Sequence, residues 1–173
     1  LRKENIDLHS VISDVIRKIA IQVEIRDGNI TTGFRATKPE ILADKVHITN
    51  VINNLLDNAL RYTPRGGQVT ARIVEQGDFA LLEVEDNGQG IADDEALKVF
   101  DRFYRVEGND SEGSGLGLAI VREIAEVHQA AASLRPNTRK SASDASPGCT
   151  ARIVFPIPRP APLRPVVPEP VQT

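Results

Sequence analysis

The sequence predicts an α/β domain in which helices lie against a sheet. Two kinds of pattern predict it: three stretches whose apolar residues recur at helical spacing, and short runs around them that alternate apolar and polar. A chain of 173 residues with 40% hydrophobic content can bury one solid core, so a single globular domain with attachments is expected. Laying helical stripes on the apolar face of a sheet buries both.

The polar lead-in Arg2-Lys3-Glu4-Asn5 reads as the end of a linker over residues 1–5, continuing an upstream helix. Leu8 to Ile21 carries Leu8, Val11, Ile12, Val15, Ile16 and Ile19 at a helical period, which predicts the first amphipathic helix. Gln22 to Arg26 alternates Val23 and Ile25 with polar neighbours and stops at Asp27-Gly28-Asn29, the pattern of a strand and turn, with a second short strand near Phe34. Pro39 to Asp44 leads into a second helix, bounded by Lys45 near its start and by Pro64 and Gly66-Gly67 after its end. Its residues Ile48, Val51, Ile52, Leu55, Leu56, Ala59 and Leu60 form one apolar stripe. Asn54, Asn58 and Arg61, at i, i+4 and i+7, share a different face. Asn competes for backbone hydrogen bonds, so clustering Asn50, Asn53, Asn54 and Asn58 weakens the helix locally, and a bound ligand is one candidate compensation.

Gln68 to Val74 and Phe79 to Val84 alternate on either side of Glu75-Gln76-Gly77-Asp78, a hairpin signature. From Asp86 to Ser114 the chain is rich in Gly, Asp and Asn, with a helical patch around Ala96 to Phe103, and reads as a functional loop or a disordered one. Gly117 to Val127 resumes a helix on Leu118, Ile120, Val121, Ile124 and Val127. Thr150 to Phe155 reads as a closing strand, and the Ser-rich Arg139 to Ser146 as a turn or mobile loop between two strands. Proline then recurs at 156, 158, 160, 162, 165, 168 and 170, so residues 157–173 are expected to be a disordered, polyproline-like tail, a spacer or a docking ligand, beyond a domain spanning 6–156.

Composition narrows the function. A net charge of −3 and only five Phe and two Tyr give neither the basic face nor the stacking surface of a nucleic-acid binder. No apolar run reaches membrane-spanning length and no secretory signal opens the sequence, which predicts a soluble domain. The opening at Leu1 and the absence of Met read as the interior of a longer protein. Cys149 stands alone, which excludes an internal disulfide and a cysteine-based zinc site, fits a reducing cytoplasm, and reads as a small packed residue.

Three constellations carry chemistry: the Asn-rich helix, Asp86-Asn87-Gly88-Gln89-Gly90-Ile91 at a strand end, and Gly113-Ser114-Gly115-Leu116-Gly117-Leu118 opening a helix. Glycines at a helix N-terminus present free N–H groups and the positive end of the dipole, which suits phosphate; the plain alternative is a flexible turn. A P-loop is excluded because Gly117 is followed by Leu118-Ala119 instead of Lys-Ser/Thr, and a dinucleotide fingerprint because residue 118 is Leu and no clear strand precedes the loop.

In this order the three constellations resemble the ATP-binding domain shared by sensor histidine kinases, gyrase, heat-shock chaperone and mismatch-repair ATPases. The likeness runs from about Ile6 to Pro156. It is strongest to the catalytic and ATP-binding domain of bacterial two-component sensor histidine kinases, in Asn54-Leu-Leu-Asp-Asn-Ala-Leu-Arg-Tyr-Thr-Pro64, Val99-Phe-Asp-Arg-Phe-Tyr-Arg105 and Gly113-Ser-Gly-Leu-Gly-Leu-Ala-Ile120. The resemblance implies a two-layer α/β sandwich of the Bergerat type, a mixed five-stranded sheet packed on three helices, with a mobile ATP lid over residues 104–115.

By resemblance, Asn58 gives its amide oxygen to Mg2+ with Asn54 as neighbouring ligand or positioning group, since Mg2+ takes hard oxygens. Arg61 meets the ATP phosphates and Tyr62 packs beside the adenine, unless it is an ordinary core aromatic. Asp86 accepts a hydrogen bond from the adenine amino group, which guanine lacks at that position. Gly88 and Gly90 let the backbone approach the base, with Ile91 beside them. Gly115, Leu116, Gly117 and Leu118 belong to the phosphate end of the ATP site. Phe100 and Phe103 anchor the lid, and Arg102 and Arg105 are phosphate or partner contacts or plain exposed charges.

In the hydrolysing branches of the superfamily a Glu stands four residues before the metal-binding Asn and activates water. Here that residue is Asn54, and an amide is no general base, so phosphoryl transfer to a protein side chain is expected over hydrolysis. The nucleophile of such kinases is a His followed by Glu or Asp on an upstream dimerising helix pair. His9-Ser10, His47-Ile48 and His128-Gln129 do not match it; His47 is expected in the opening turns of its helix and His128 at a helix C-terminus suited to a cation. The chain is therefore expected to bind ATP and Mg2+, with no phosphoacceptor of its own. The implied partners are its own upstream dimerisation domain and a response regulator, in a homodimeric full-length protein of which this fragment alone is a monomer. The implied location is the cytoplasmic side of a membrane-anchored bacterial sensor. A Ser kinase of the anti-sigma-factor type, or a non-catalytic nucleotide sensor, would use the same site. The chain departs from its relatives at Gln129-Ala130, where they commonly have a Gly pair.

Overall fold

Five strands form the main sheet of the computed structural model, which describes residues 1–34, 40–106, 113–138 and 147–162. In chain order the elements are β1 (Lys3–Asp7), α1 (Leu8–Ile25), β2 (Asn29–Phe34), β3 (Glu40–Asp44), α2 (Lys45–Tyr62), β4 (Gln68–Gln76), β5 (Phe79–Asp86), α3 (Asp93–Ala96), α4 (Gly117–Val127), β6 (Ala131–Pro136) and β7 (Cys149–Pro156). The sheet runs β2-β4-β5-β7-β6, and β1 pairs with β3 in a small second sheet. β2 lies parallel to β4 and the other neighbours are antiparallel, so the sheet is mixed, as expected. The two-residue turn Gly77-Asp78 closes the β4–β5 hairpin, with Gly77 at a φ of +58° that suits a residue without Cβ.

Strand parity decides which face the helices cover. Val69, Ala71 and Ile73 of β4, Ala80, Leu82 and Val84 of β5, and Ala151, Ile153 and Phe155 of β7 all point one way and are buried. They meet Ile12 and Val15 of α1, Ile52, Leu55 and Leu56 of α2, and Val121 and Ala125 of α4 in one hydrophobic core. The opposite face carries a cross-strand charge row, with Arg152 Nε donating to Glu83 Oε1 at 2.7 Å and Arg72 Nε 3.5 Å from Glu83 Oε2. Asp86 shares the parity of Val84 and Leu82, so the end of β5 turns its carboxylate toward the helical layer.

The N-terminal third departs from expectation. Residues 3–5, expected to continue an upstream helix, are strand: β1 registers against β3 from Lys3↔Asp44 to Asp7↔Glu40. Only Ile6 of β1 is buried, so the strand is made by its partner and not by its own pattern. Gln22 to Arg26 is no strand; α1 continues to Ile25. Ile19 and Val23 pack on the core at i, i+4 while Ile21 and Ile25 stay about 70% exposed, so the alternation was one turn of helix seen end on. Residues 40–44 form a strand of their own before α2, with Ile41 and Ala43 buried. The helical patch expected over Ala96 to Phe103 is a single turn, α3, followed by turns.

Asp44 starts α2: its Oδ1 accepts from the amides of Val46 at 3.0 Å and His47 at 3.4 Å, and its Oδ2 accepts from Arg2 N at 2.9 Å. His47 sits in the first turn, as expected. His128 is the C-cap residue of α4, at a helix C-terminus as expected. It is buried, with Nε2 accepting from Asp44 N at 3.0 Å and Nδ1 2.7 Å from Ile124 O. α4 ends in a left-handed residue, Gln129 at φ +57°, with Ala130 N donating to Ala125 O at 2.9 Å. The first residues assigned to the tail are tied down. Ile157 packs on the core and donates its N–H to Asp78 O at 2.8 Å, and Arg159 pairs with the Asp78 carboxylate. Residues 139–146, read as a loop, and 163–173, the rest of the tail, lie outside the described residues.

Candidate functional site

α2 and α4 pack side by side, and between them opens a cavity of about 290 Å3 floored by the end of β5. Asn54, Asn58, Arg61 and Tyr62 line it from α2, so the polar row of that helix faces the opening while its apolar stripe enters the core. Asn54 donates Nδ2 to Asn50 O at 2.9 Å, which leaves Oδ1 directed at the start of α4: a Cβ on Gly117 would stand 3.0 Å from it. Arg61 Nη2 pairs with Asp57 Oδ2 at 2.8 Å, one turn back on the same helix. A Cβ on Gly113 would stand 2.0 Å from Arg61 Nη1, so the glycine is what lets the incoming loop cross the guanidinium.

The first turn of α4 has no side-chain cap, because its N-cap residue is Leu116. Its leading N–H groups and the positive end of its dipole are left to the cavity, an arrangement that receives anions. Gly115, at φ +71°, turns the chain into the helix and takes the Phe103 amide on its carbonyl at 3.0 Å.

Asp86 is 6% exposed, yet its carboxylate lines the cavity. Gly88 N at 2.9 Å and Cys149 N at 3.3 Å both donate to Oδ1, and Cys149 Sγ lies 3.3 Å from Oδ2. Burial pushes the Asp86 carboxyl above its ordinary value, and these donors offset only part of that. Burial, then the neighbouring Asp86 charge, pushes the Cys149 thiol up as well, so it stays a protonated, weak donor. With two backbone donors on Oδ1 and only the weak thiol donor on Oδ2, Oδ2 is the oxygen open to a ligand.

Of the expected site residues, Asn54, Asn58, Arg61, Tyr62, Asp86, Gly90, Ile91, Gly115, Gly117 and Leu118 line this one cavity. Gly88 does not: a Cβ there would stand 2.3 Å from Tyr62 O, so its glycine serves the packing of β5 against the end of α2 and not an approach to a base. Leu116 stands at the N-cap position of α4 without a side-chain cap bond and does not line the cavity. Arg102 points away, with Nε donating to Glu123 Oε1 of α4 at 3.0 Å; Arg105 lines the cavity in its place. Phe100 is buried and anchors its segment, but Phe103 is 72% exposed and is held by its backbone. Cys149, read as a packed residue, belongs to the site. Residues 107–112 of the expected lid lie outside the described residues.

Comparison with known proteins agrees with this geometry. The model of the histidine kinase-, DNA gyrase B- and HSP90-like ATPases matches residues 43–159, which contain every residue of the cavity. The chain belongs to this family. Sensor protein RprX of Bacteroides fragilis is 42% identical over 134 residues, covering 75% of this chain and 26% of RprX. Sensor protein kinase PmrB of Pseudomonas aeruginosa is 39% identical over 124 residues, 71% of this chain and 26% of PmrB. The solved structure of the mycobacterial sensor histidine kinase MprB superposes with a TM-score of 0.77 at 29% identity, covering 90% of this chain and 97% of that one. The chain thus spans about a quarter of these two sensor proteins and corresponds to the ATPase catalytic domain of such kinases.

ATP is the ligand the ATPase family implies, and the residues present fit it. The buried carboxylate offers one acceptor oxygen at one end of the cavity, the amide row and Arg61 stand along α2, and the uncapped α4 N-terminus supplies amides at the other end. No helix among the described residues is long and apolar enough to cross a membrane.

Proposed function

We propose that this ATPase domain is the half of a sensor histidine kinase that holds Mg-ATP and presents its γ-phosphate to a histidine on a separate, upstream dimerisation domain, from which the phosphate passes to an aspartate of a response regulator. The observation that carries the reading is the pairing, across one cavity, of the Asp86 carboxylate with the Asn54/Asn58 row and the uncapped start of α4. Asp86 Oδ2 accepts the adenine amino group, with Tyr62, Ile91, Leu134 and Cys149 as the walls of the base pocket. Asn58 Oδ1, and Asn54 Oδ1 beside it, are the neutral hard oxygens offered to Mg2+. Arg61, Arg105 and the amides of Gly115, Gly117 and Leu118 face the phosphates. Bound Mg2+ supplies charge neutralisation on the phosphate oxygens.

The chain's part in the reaction is positioning and electrostatic stabilisation. The histidine nitrogen of the other domain forms the new N–P bond as the bond from the γ-phosphorus to the β-phosphate oxygen breaks, and ADP leaves with that electron pair. Asn54 supports transfer over hydrolysis: its Nδ2 is spent on Asn50 O, and an amide takes no proton from water at neutral pH. By the same reading the full-length protein is a homodimer through its upstream domain, a membrane-anchored bacterial sensor whose kinase domain lies in the cytoplasm, and this fragment alone is a monomer.

The test is to mix the chain with the upstream His-bearing domain of its parent and ATP labelled at the γ-phosphate. Acid-labile, base-stable label on that domain, lost when its histidine is replaced by Ala, is the expected result. ATP binding without any transfer would leave a nucleotide sensor. Label on a Ser of a small partner would move the chain to the anti-sigma-factor type of kinase.

A further inference from the structure

Two strand ladders run out beside the proposed adenine end of the cavity, and one side chain takes over from both. The β5–β7 ladder stops at Glu85↔Thr150, so it does not reach Asp86, and the β6–β7 ladder stops at Pro136↔Cys149. Asn137 is the first residue past that end. Its Nδ2 donates to Asp86 O at 3.1 Å and to Pro147 O at 2.9 Å, its Oδ1 accepts from Thr150 Oγ1 at 2.5 Å, and its backbone N–H donates to Gly148 O at 3.0 Å. Carbonyl oxygens only accept, so those of Asp86 and Pro147 fix which end of the amide is the NH2, and the hydroxyl of buried Thr150 then donates to Oδ1.

We propose that Asn137 is the positioning residue for the adenine-accepting carboxylate, holding the Asp86 backbone against the start of β7 so that Oδ2 meets the base; this rests on the ATP reading of the site. The carboxylate depends on that distance because two of its three donors, the Cys149 N–H and thiol, come from β7, while only Gly88 N comes from its own loop. Gly148 sets how close the two strands come: at φ +74° its absent Cβ would stand 1.8 Å from Asp86 O. Asn137 closes the same contact from the other side. Without its two N–H groups the carbonyls of Asp86 and Pro147 lose their donor, the β7 end moves off, and Oδ1 loses the Cys149 amide that leaves Oδ2 to the ligand. Asn137 does not line the cavity, so its effect reaches the nucleotide only through Asp86.

The test measures Kd for Mg-ATP and for Mg-GTP on the whole chain by competition against a fluorescent ATP analogue, with urea unfolding in parallel. Asn137→Ala is expected to weaken ATP about tenfold, the scale of one mispositioned hydrogen bond to a charged acceptor. GTP, held by its phosphates, should change little, so the ATP/GTP preference falls. Asn137→Asp keeps the shape and the Thr150 bond but turns an oxygen on two carbonyls, and should lose at least as much. Thr150→Val, which removes the donor to Oδ1 and loosens the side chain of Asn137, serves if neither variant folds and should lower the preference about threefold. An unchanged ATP/GTP ratio in the folded variants, with only the unfolding midpoint lowered, would make Asn137 a structural residue and overturn the inference while the ATP reading stands. Failure of the wild type to bind ATP would overturn both.

Discussion

Replacing Asp86 by Asn changes one atom at the floor of the cavity and separates binding from stability. The side chain keeps its size, and its carbonyl oxygen still takes the amides of Gly88 at 2.9 Å and Cys149 at 3.3 Å. The new NH2 falls where Oδ2 was, 3.3 Å from Cys149 Sγ and facing the adenine amino group, donor against donor. A hydrogen bond to a charged acceptor contributes about 1.5–3 kcal/mol, so Kd for ATP should rise roughly 10- to 150-fold. Stability should move the other way. Burial raises the Asp86 carboxyl above its ordinary 3.8, so the folded state binds this proton more tightly than the unfolded chain. The sign follows: stability contributed by the neutral acid is fully present below pH 3.8 and is lost as pH rises through the raised folded value. The Asn variant carries no such charge, so at pH 7 it should unfold at the same or higher urea concentration than the wild type, a gap that closes at low pH. ATP affinity of the wild type should in turn weaken on acidification sooner than an ordinary carboxylate would. Calorimetric titration and urea unfolding from pH 4 to 8 read all three. A folded Asn variant binding ATP within about threefold of wild type would refute the role given to Asp86.

Other positions test the frame around the site. Gly148→Ala places a Cβ 1.8 Å from Asp86 O at a φ of +74°, and should destabilise the fold by more than the 1–2 kcal/mol of a left-handed residue alone, read by urea unfolding. Gln129→Gly relieves a left-handed glutamine at φ +57° at the end of α4 and should stabilise by about 0.5–1 kcal/mol, with ATP affinity unchanged. Leu56→Ala in the fully buried stripe of α2 should cost about 2–5 kcal/mol in the same assay.

The helical and hairpin cores were legible because their signal is local. The stripe of α2 and the bounds of α4 follow from apolar spacing, and the β4–β5 hairpin from alternation around Gly77-Asp78. β1 was not legible, since a strand with one buried residue owes its state to the partner across from it. β3 did carry alternation in Ile41 and Ala43, but over five residues it looked like a lead-in. Within the site, most of the motif residues of α2, the end of β5 and the start of α4 line one cavity, while Gly88 and Leu116 do not. Cys149, Asn137 and the Arg102–Glu123 pair were hidden because each depends on a contact between residues far apart in sequence, 63 positions for Cys149 and Asp86 and 21 for Arg102 and Glu123.

The central claim is that this cavity holds Mg-ATP through the amide row of α2. Its most direct measurement is a calorimetric titration of the chain with ATP, with and without Mg2+, for the wild type and Asn58→Ala. Saturable one-to-one binding that Mg2+ tightens in the wild type, and a loss of that tightening in the variant with Mg2+-free affinity retained, is the predicted result. No saturable binding by the wild type, or the same response to Mg2+ in Asn58→Ala, would contradict it.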